Sequence, residues 1–243
     1  MSIASISTTD TDVIKLETSG AREYLSIHDS FSAAHCILFT STNVMPCTIS
    51  AIDALTGGSK VIFSSDVVIA SAITSTSGKY IAAIEPKSKP RKLRLFSKSG
   101  QPIKILPGDK NNVLDYCWSR TKDVIYFLAE NPGKSELFRY DVESKKLTKL
   151  FSTSEVFATF DVSPNGVIAL DLLTKSRECE IAIVNGASGE VIQKSPDGFY
   201  FHPSWSRDGK YLAHAVAVSK EFPNGYVIRP VRGGKVMWNE VVH

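Results

Sequence analysis

Five residues stand at equivalent points along the chain: His28, Ser71, Asp115, Thr159 and His202. Each lies four residues before one of the serines Ser32, Ser75, Ser119, Ser163 and Ser206, which recur at intervals of 43 or 44 residues. Imidazoles, hydroxyls and a carboxylate repeated at one spacing can bind a polar ligand or partner, provided the fold gathers them. They can also simply bond one another and ordered water.

Other reactive side chains are dispersed. The histidines (His28, His35, His202, His214, His243) form no H-x-x-x-H pair and have no carboxylate at ligand spacing, so no metal site is expected. Cys36, Cys47, Cys117 and Cys179 show no metal spacing either. Three of them (36, 117, 179) fall in strand-like runs, where a buried free thiol is the common state. Gly186-Ala187-Ser188-Gly189 departs from G-x-S-x-G and reads as a hairpin turn. Asp208 reads as a turn residue bonding its own backbone. The basic run Lys87, Lys89, Arg91, Lys92, Arg94, Lys98 and Lys104 has only Phe96 interleaved. It reads as a charged outer edge that discourages strand pairing, and no nucleic-acid partner is expected. No catalytic, cofactor or metal residues are assigned.

The elements that must position the five polar residues are strands. The segment FHPSWSRDGKYLAH (201 to 214) holds two extended runs around Ser206-Arg207-Asp208-Gly209, a strong hairpin signal. Related turns occur at Ser75-Thr76-Ser77-Gly78 and Ser163-Pro164-Asn165-Gly166, with degenerate copies at Ser119-Arg120-Thr121-Lys122 and Ser32-Ala33-Ala34-His35. An apolar strand follows each turn, as in Val124-Ile125-Tyr126-Phe127. A second hairpin comes later, clearest as Leu137 to Asp141 and Leu147 to Leu150. Four strands per unit of roughly 40–50 residues is the size of a β-propeller blade. Alternation sends the polar column and the column one before the serine (Phe31, Thr74, Trp118, Val162, Trp205) to opposite faces. The polar column then lines a central channel, and Trp118 and Trp205 pack between blades.

The expected fold is therefore all-β: a single β-propeller domain, 1–243, of four-stranded antiparallel blades. A half blade (2–17) precedes five blades at about 24–65, 66–109, 110–154, 155–196 and 197–243. The half blade brings only the outer strands of a unit, so an incomplete ring is expected. The alternative is a five-blade ring with the N-terminal hairpin packed outside.

Pro203-Ser204-Trp205-Ser206-Arg207-Asp208-Gly209-Lys210-Tyr211-Leu212-Ala213 resembles the repeat of TolB-like propellers and of the propeller domain of prolyl oligopeptidase-type peptidases. Asp161-Val162-Ser163-Pro164-Asn165-Gly166 is a second good match. The Trp-Asp dipeptide of WD repeats is absent. The resemblance implies a fold and no particular chemistry. It implies a binding module for a protein or peptide, with no cofactor. The alternative is the substrate-gating propeller of such a peptidase without its catalytic domain. A lactonase-like enzyme would need several acidic residues at the channel, and only Asp115 qualifies in the column.

Net charge is +3 and 22% of residues are charged, ordinary for a globular protein. No apolar run is long enough to span a bilayer. The start, MSIASISTTDTD, lacks the basic and apolar regions of a secretory signal, so a cytoplasmic location is expected, although secreted relatives are common in the resembled family.

Overall fold

The computed structural model describes residues 2–6, 13–17, 25–30, 36–41, 47–53, 59–106, 111–174, 178–196, 198–217 and 225–242, with backbone alone through residue 41, at 51–53, at 59 and at 63. The described residues form strands and no helix. No described helix is therefore long and apolar enough to cross a membrane. The chain divides into two compact units, Met1–Gly108 and Asp109–His243.

The first unit holds an antiparallel hairpin, β1 (Ser2–Ile6) and β2 (Val13–Glu17), and two four-stranded sheets. One is β3 (Leu25–Ser30), β4 (Cys36–Ser41), β5 (Cys47–Asp53) and β6 (Ser59–Ser65); the other is β7 (Ala70–Thr74), β8 (Tyr80–Glu85), β9 (Lys92–Ser97) and β10 (Pro102–Leu106). Cys47 and Ile49 of β5 share a core with Ile81 and Ala83 of β8 and Phe96 of β9. Along β9, Leu93 and Leu95 are buried while Lys92 and Arg94 are half-exposed, and Arg94 pairs with Glu85 at 2.7 Å. This stretch of the basic run is the polar side of a strand whose alternate residues fill the core.

The second unit is three successive sheets, each an antiparallel meander in chain order. They are β11 (Asn112–Trp118) with β12 (Val124–Asn131), β13 (Lys134–Asp141) and β14 (Lys146–Thr153); β15 (Val156–Val162) with β16 (Val167–Leu173), β17 (Cys179–Asn185) and β18 (Val191–Lys194); and β19 (Phe199–Trp205) with β20 (Tyr211–Ala217), β21 (Gly225–Arg232) and the short β22 (Lys235–Val236). A single parallel bridge, Cys179 to Phe199, links the last two. The inner strands β11, β15 and β19 lie side by side.

The middle sheet of this unit is buried on both faces. Ile168, Leu170, Leu172, Ala182 and Val184 meet Val124, Tyr126 and Leu128 of the preceding sheet. Ala169, Ile181 and Ile183, on the opposite side by alternation, meet Trp205, Leu212 and Val236 of the following one. Strands covered on both sides lose the apolar-polar alternation of a half-buried strand. That is why Val167 to Leu173 reads as an almost unbroken apolar run.

In three of the turns the repeat serine closes the loop twice. Ser206 N donates to Tyr211 O at 2.9 Å, and Tyr211 N returns a bond to Ser206 Oγ at 3.0 Å. Ser75 and Ser163 make the same pair of bonds with Tyr80 and Val167. The glycine three residues on donates back to the serine carbonyl, with φ of 69° at Gly78, 76° at Gly166 and 70° at Gly209. That left-handed conformation explains the residue type. Asp208 Oδ1 accepts from Ser206 Oγ and Lys210 N, so it is a turn residue. The turn expected at Ser32 lies outside the described residues.

At the C-terminal end β22 closes at Val236. Met237 N bonds Pro230 O, and the Trp238 ring packs on Tyr200 and His214 at 5.8 and 5.6 Å between centroids.

Trp118 and Trp205 are both buried, at 6% and 5% exposure. Trp205→Ala is expected to cost about 3–5 kcal/mol, the usual range for a buried large aromatic. Denaturant unfolding checks this, and an unchanged midpoint would contradict the packing described.

Candidate functional site

All five inner strands carry a register irregularity at the polar column. The shifts fall between Ile27 and Ser30, Ala70 and Ile73, Val113 and Asp115, Phe157 and Phe160, and Phe201 and Ser204. A bulge adds a residue to one strand, bends it and re-aims its side chains. Ser71 and His202 sit in these bulges with φ of 53° and 50°, which non-glycine residues seldom adopt. His28 lies in the β3 bulge, and its side chain is outside the described residues. Ser71 belongs to the first unit and Asp115, Thr159 and His202 to the second.

Within the second unit the fold gathers these residues around Asp171, which composition and spacing did not single out. Asp171 is 2% exposed on β16. Its carboxylate accepts from Ala158 N, Thr159 N, Thr159 Oγ1 (3.0 Å) and His202 N (3.1 Å). One buried carboxylate thus holds the bulge of its own sheet and that of the next. Thr159 Oγ1 lies 3.4 Å from His202 Nδ1, and the His202 side chain is exposed. Counting from the pairs Trp118–Ile125, Val162–Ile168 and Trp205–Leu212, the residues equivalent to Asp171 are Leu128 and Ala215. The available signal was a single carboxylate inside the apolar run Val167 to Leu173.

Asp115 completes the group. Burial lifts its carboxyl above the ordinary aspartate range, the bond from Tyr116 N pulls it back, and the charge of Asp171 adds to the rise.

Two residues along from the column is a second tie. Asp161 Oδ2 accepts from Trp205 N of the next sheet at 2.7 Å and from Arg120 Nη2 at 2.8 Å. Arg120 also donates to the carbonyls of Trp205 and Ser206. The degenerate turn Ser119-Arg120-Thr121-Lys122 therefore supplies a brace spanning three sheets. Cys117 lies 4.0 Å from Asp161 Oδ1. Burial, then the Asp161 charge, pushes its thiol up to about 12, with Arg120 opposing. A thiol held there stays protonated near neutral pH and is a poor nucleophile.

Ser188 Oγ accepts from Glu190 N at 3.3 Å in an exposed turn, away from strand-to-helix geometry. Among the described residues no three His, Cys, Asp or Glu side chains are grouped to hold a metal ion. Cys47, Cys117 and Cys179 are not in disulfides. The arrangement offers hydrogen-bond donors and acceptors, one exposed imidazole and local negative charge.

No family model and no curated protein matches the chain. Solved structures do. TolB from Acinetobacter baumannii is 19% identical with a TM-score of 0.63, covering 96% of this chain and 57% of its own. A prolyl endopeptidase is 14% identical with a TM-score of 0.67, covering 90% and 35%. Dihydro-heme d1 dehydrogenase NirN in complex with DHE is 13% identical with a TM-score of 0.66, covering 97% and 51%. The chain has the β-propeller fold, as the TolB-like repeat implied. It spans between about a third and somewhat over half of the length of these proteins.

Two outcomes check the site. Asp171→Leu leaves buried backbone donors at Thr159 and His202 unpaired, and a loss of about 3 kcal/mol is expected in chemical denaturation. Asp115→Asn should act in the other direction. A carboxyl raised above its unfolded value binds its proton more tightly in the folded state, so its charged form costs stability at neutral pH. That cost disappears as pH falls through the raised folded value. The variant should therefore melt higher than the parent at neutral pH, with the gain fading in acid. A gain independent of pH would refute the burial of this charge.

Proposed function

We propose that the chain is a non-catalytic propeller that binds a protein or peptide along its inner strands. The observation that carries this reading is the polar surface on the bulges of the second unit. There Thr159 and His202 are fixed by Asp171, and the His202 side chain stays open to solvent. Bulges re-aim side chains and recur beside functional sites. Held donors and acceptors beside an exposed ring suit recognition of peptide groups at low ordering cost. The protonated thiol of Cys117 and the turn geometry of Ser188 favour binding over acyl transfer. The resemblance to TolB-like propellers points to the same class of partner.

The likeness to a prolyl endopeptidase supports a second reading, the propeller portion of a serine peptidase. Reading the coding DNA beyond the His243 codon separates the two. A helix-rich continuation with G-x-S-x-G favours the peptidase, and a stop codon favours the free-standing module.

Peptides selected from a display library on the folded protein provide the direct test. Asp115→Ala combined with His202→Ala should weaken their binding about tenfold or more, which is about 1.4 kcal/mol. Unaltered affinity in a folded double variant would remove the inner strands from consideration.

A further inference from the structure

The hydrogen bonds of Thr159 decide which nitrogen His202 offers to solvent. A threonine hydroxyl carries a single proton. Thr159 Oγ1 gives that proton to Asp171 Oδ2 at 3.0 Å. The same oxygen lies 3.4 Å from His202 Nδ1. A carboxylate holds a hydroxyl proton more strongly than a neutral nitrogen at a longer distance. With its proton committed to Asp171, Thr159 Oγ1 meets His202 as an acceptor, and Nδ1 is the donor. The neutral ring therefore carries its proton on Nδ1, and Nε2 keeps a lone pair.

The backbone holds the ring where this matters. His202 sits in the β19 bulge with φ of 50°, and its N–H donates to Asp171 Oδ2 at 3.1 Å. Asp171 is buried and also accepts from Ala158 N and Thr159 N, which anchors it in turn. The His202 side chain is exposed. Among the described residues no hydrogen bond engages its Nε2.

On the other side of Thr159 stands a second acceptor. The inner strands β11, β15 and β19 lie side by side, so Asp115 and His202 flank Thr159. Asp115 is half-buried, and its Oδ1 accepts from Tyr116 N at 2.8 Å. Among the described residues no hydrogen bond engages its Oδ2. The charge of Asp171 bears on this carboxyl with the same sign. A positive group beside the two carboxylates relieves that repulsion. An anionic group would meet lone pairs and negative charge instead.

Resting on the reading of the inner strands as a binding surface, we infer that the partner presents a cationic N–H donor, an ammonium or guanidinium group, to Asp115 and to His202 Nε2. Thr159 is the positioning residue: it takes the Nδ1 proton and so turns the lone pair outward.

Nitrogen-15 NMR of the full chain, at a pH about two units above the ordinary imidazole value, reads the tautomer directly. His202 is expected with its proton on Nδ1. Thr159→Ser should keep that state, and Thr159→Val, which removes the hydroxyl, should release it. If the valine variant fails to fold, the parent spectrum decides, because a parent ring protonated on Nε2 overturns the inference.

Peptides selected by display for binding that depends on Asp115 and His202 supply the second arm. Each is remade with its amino terminus acetylated, its lysines replaced by norleucine or its arginines by citrulline, which separates the sources of the cation. One of these changes should weaken binding about tenfold or more. Thr159→Val should weaken the unmodified peptide, and Thr159→Ser should not. Peptides that bind equally well in all three neutralised forms overturn the inference and leave the binding surface standing. If no selected peptide depends on Asp115 and His202, the reading of the inner strands fails and this inference falls with it.

Discussion

The structure depends on mutual burial of small sheets. A four-stranded sheet from some forty residues has two faces, and its own strands cover neither. The middle sheet of the second unit shows the solution. Ile168, Leu170 and Leu172 go to one neighbour, and Ala169, Ile181 and Ile183 to the other. Apolar burial is non-directional, so it holds the sheets together without setting their register against one another.

Register comes from buried polar ties. Asp161 reaches the backbone of Trp205, and Asp171 the backbone of His202, each bond running from one sheet to the next. Arg120 adds a cationic brace to the same junction. A carboxylate in so dry a place is tolerated because it is fully engaged: Asp171 accepts four bonds. The groups that fix the geometry are thus neighbours of the exposed His202 ring, and the bulges allow it by turning a few side chains out of the ladder.

Much of this was legible in the residues. The serine spacing predicted the four-stranded sheets, because a turn that needs both a hydroxyl acceptor and a left-handed glycine leaves a recognisable trace. The large apolar residues before the serines predicted burial at Trp118 and Trp205. Asp171 was not found, since its equivalents Leu128 and Ala215 are apolar and a repeat-based reading averages over such exceptions. Arg120 was hidden for the opposite reason. It shares its turn position with Arg207, so nothing in the repeat marks it, and its role comes from Asp161 and the carbonyls of Trp205 and Ser206 on other sheets.

What the sequence determined by itself was the local and periodic part: strands, turns and the apolar column, each encoded within one unit of the repeat. What only the tertiary structure decided was which side chains meet across units. Thr159 and His202 are 43 residues apart, and Arg120 and Ser206 are 86 apart. Such pairs are set by how neighbouring sheets stack. The seat of Trp238 belongs to the same class, because its ring meets Tyr200 and His214 of other strands.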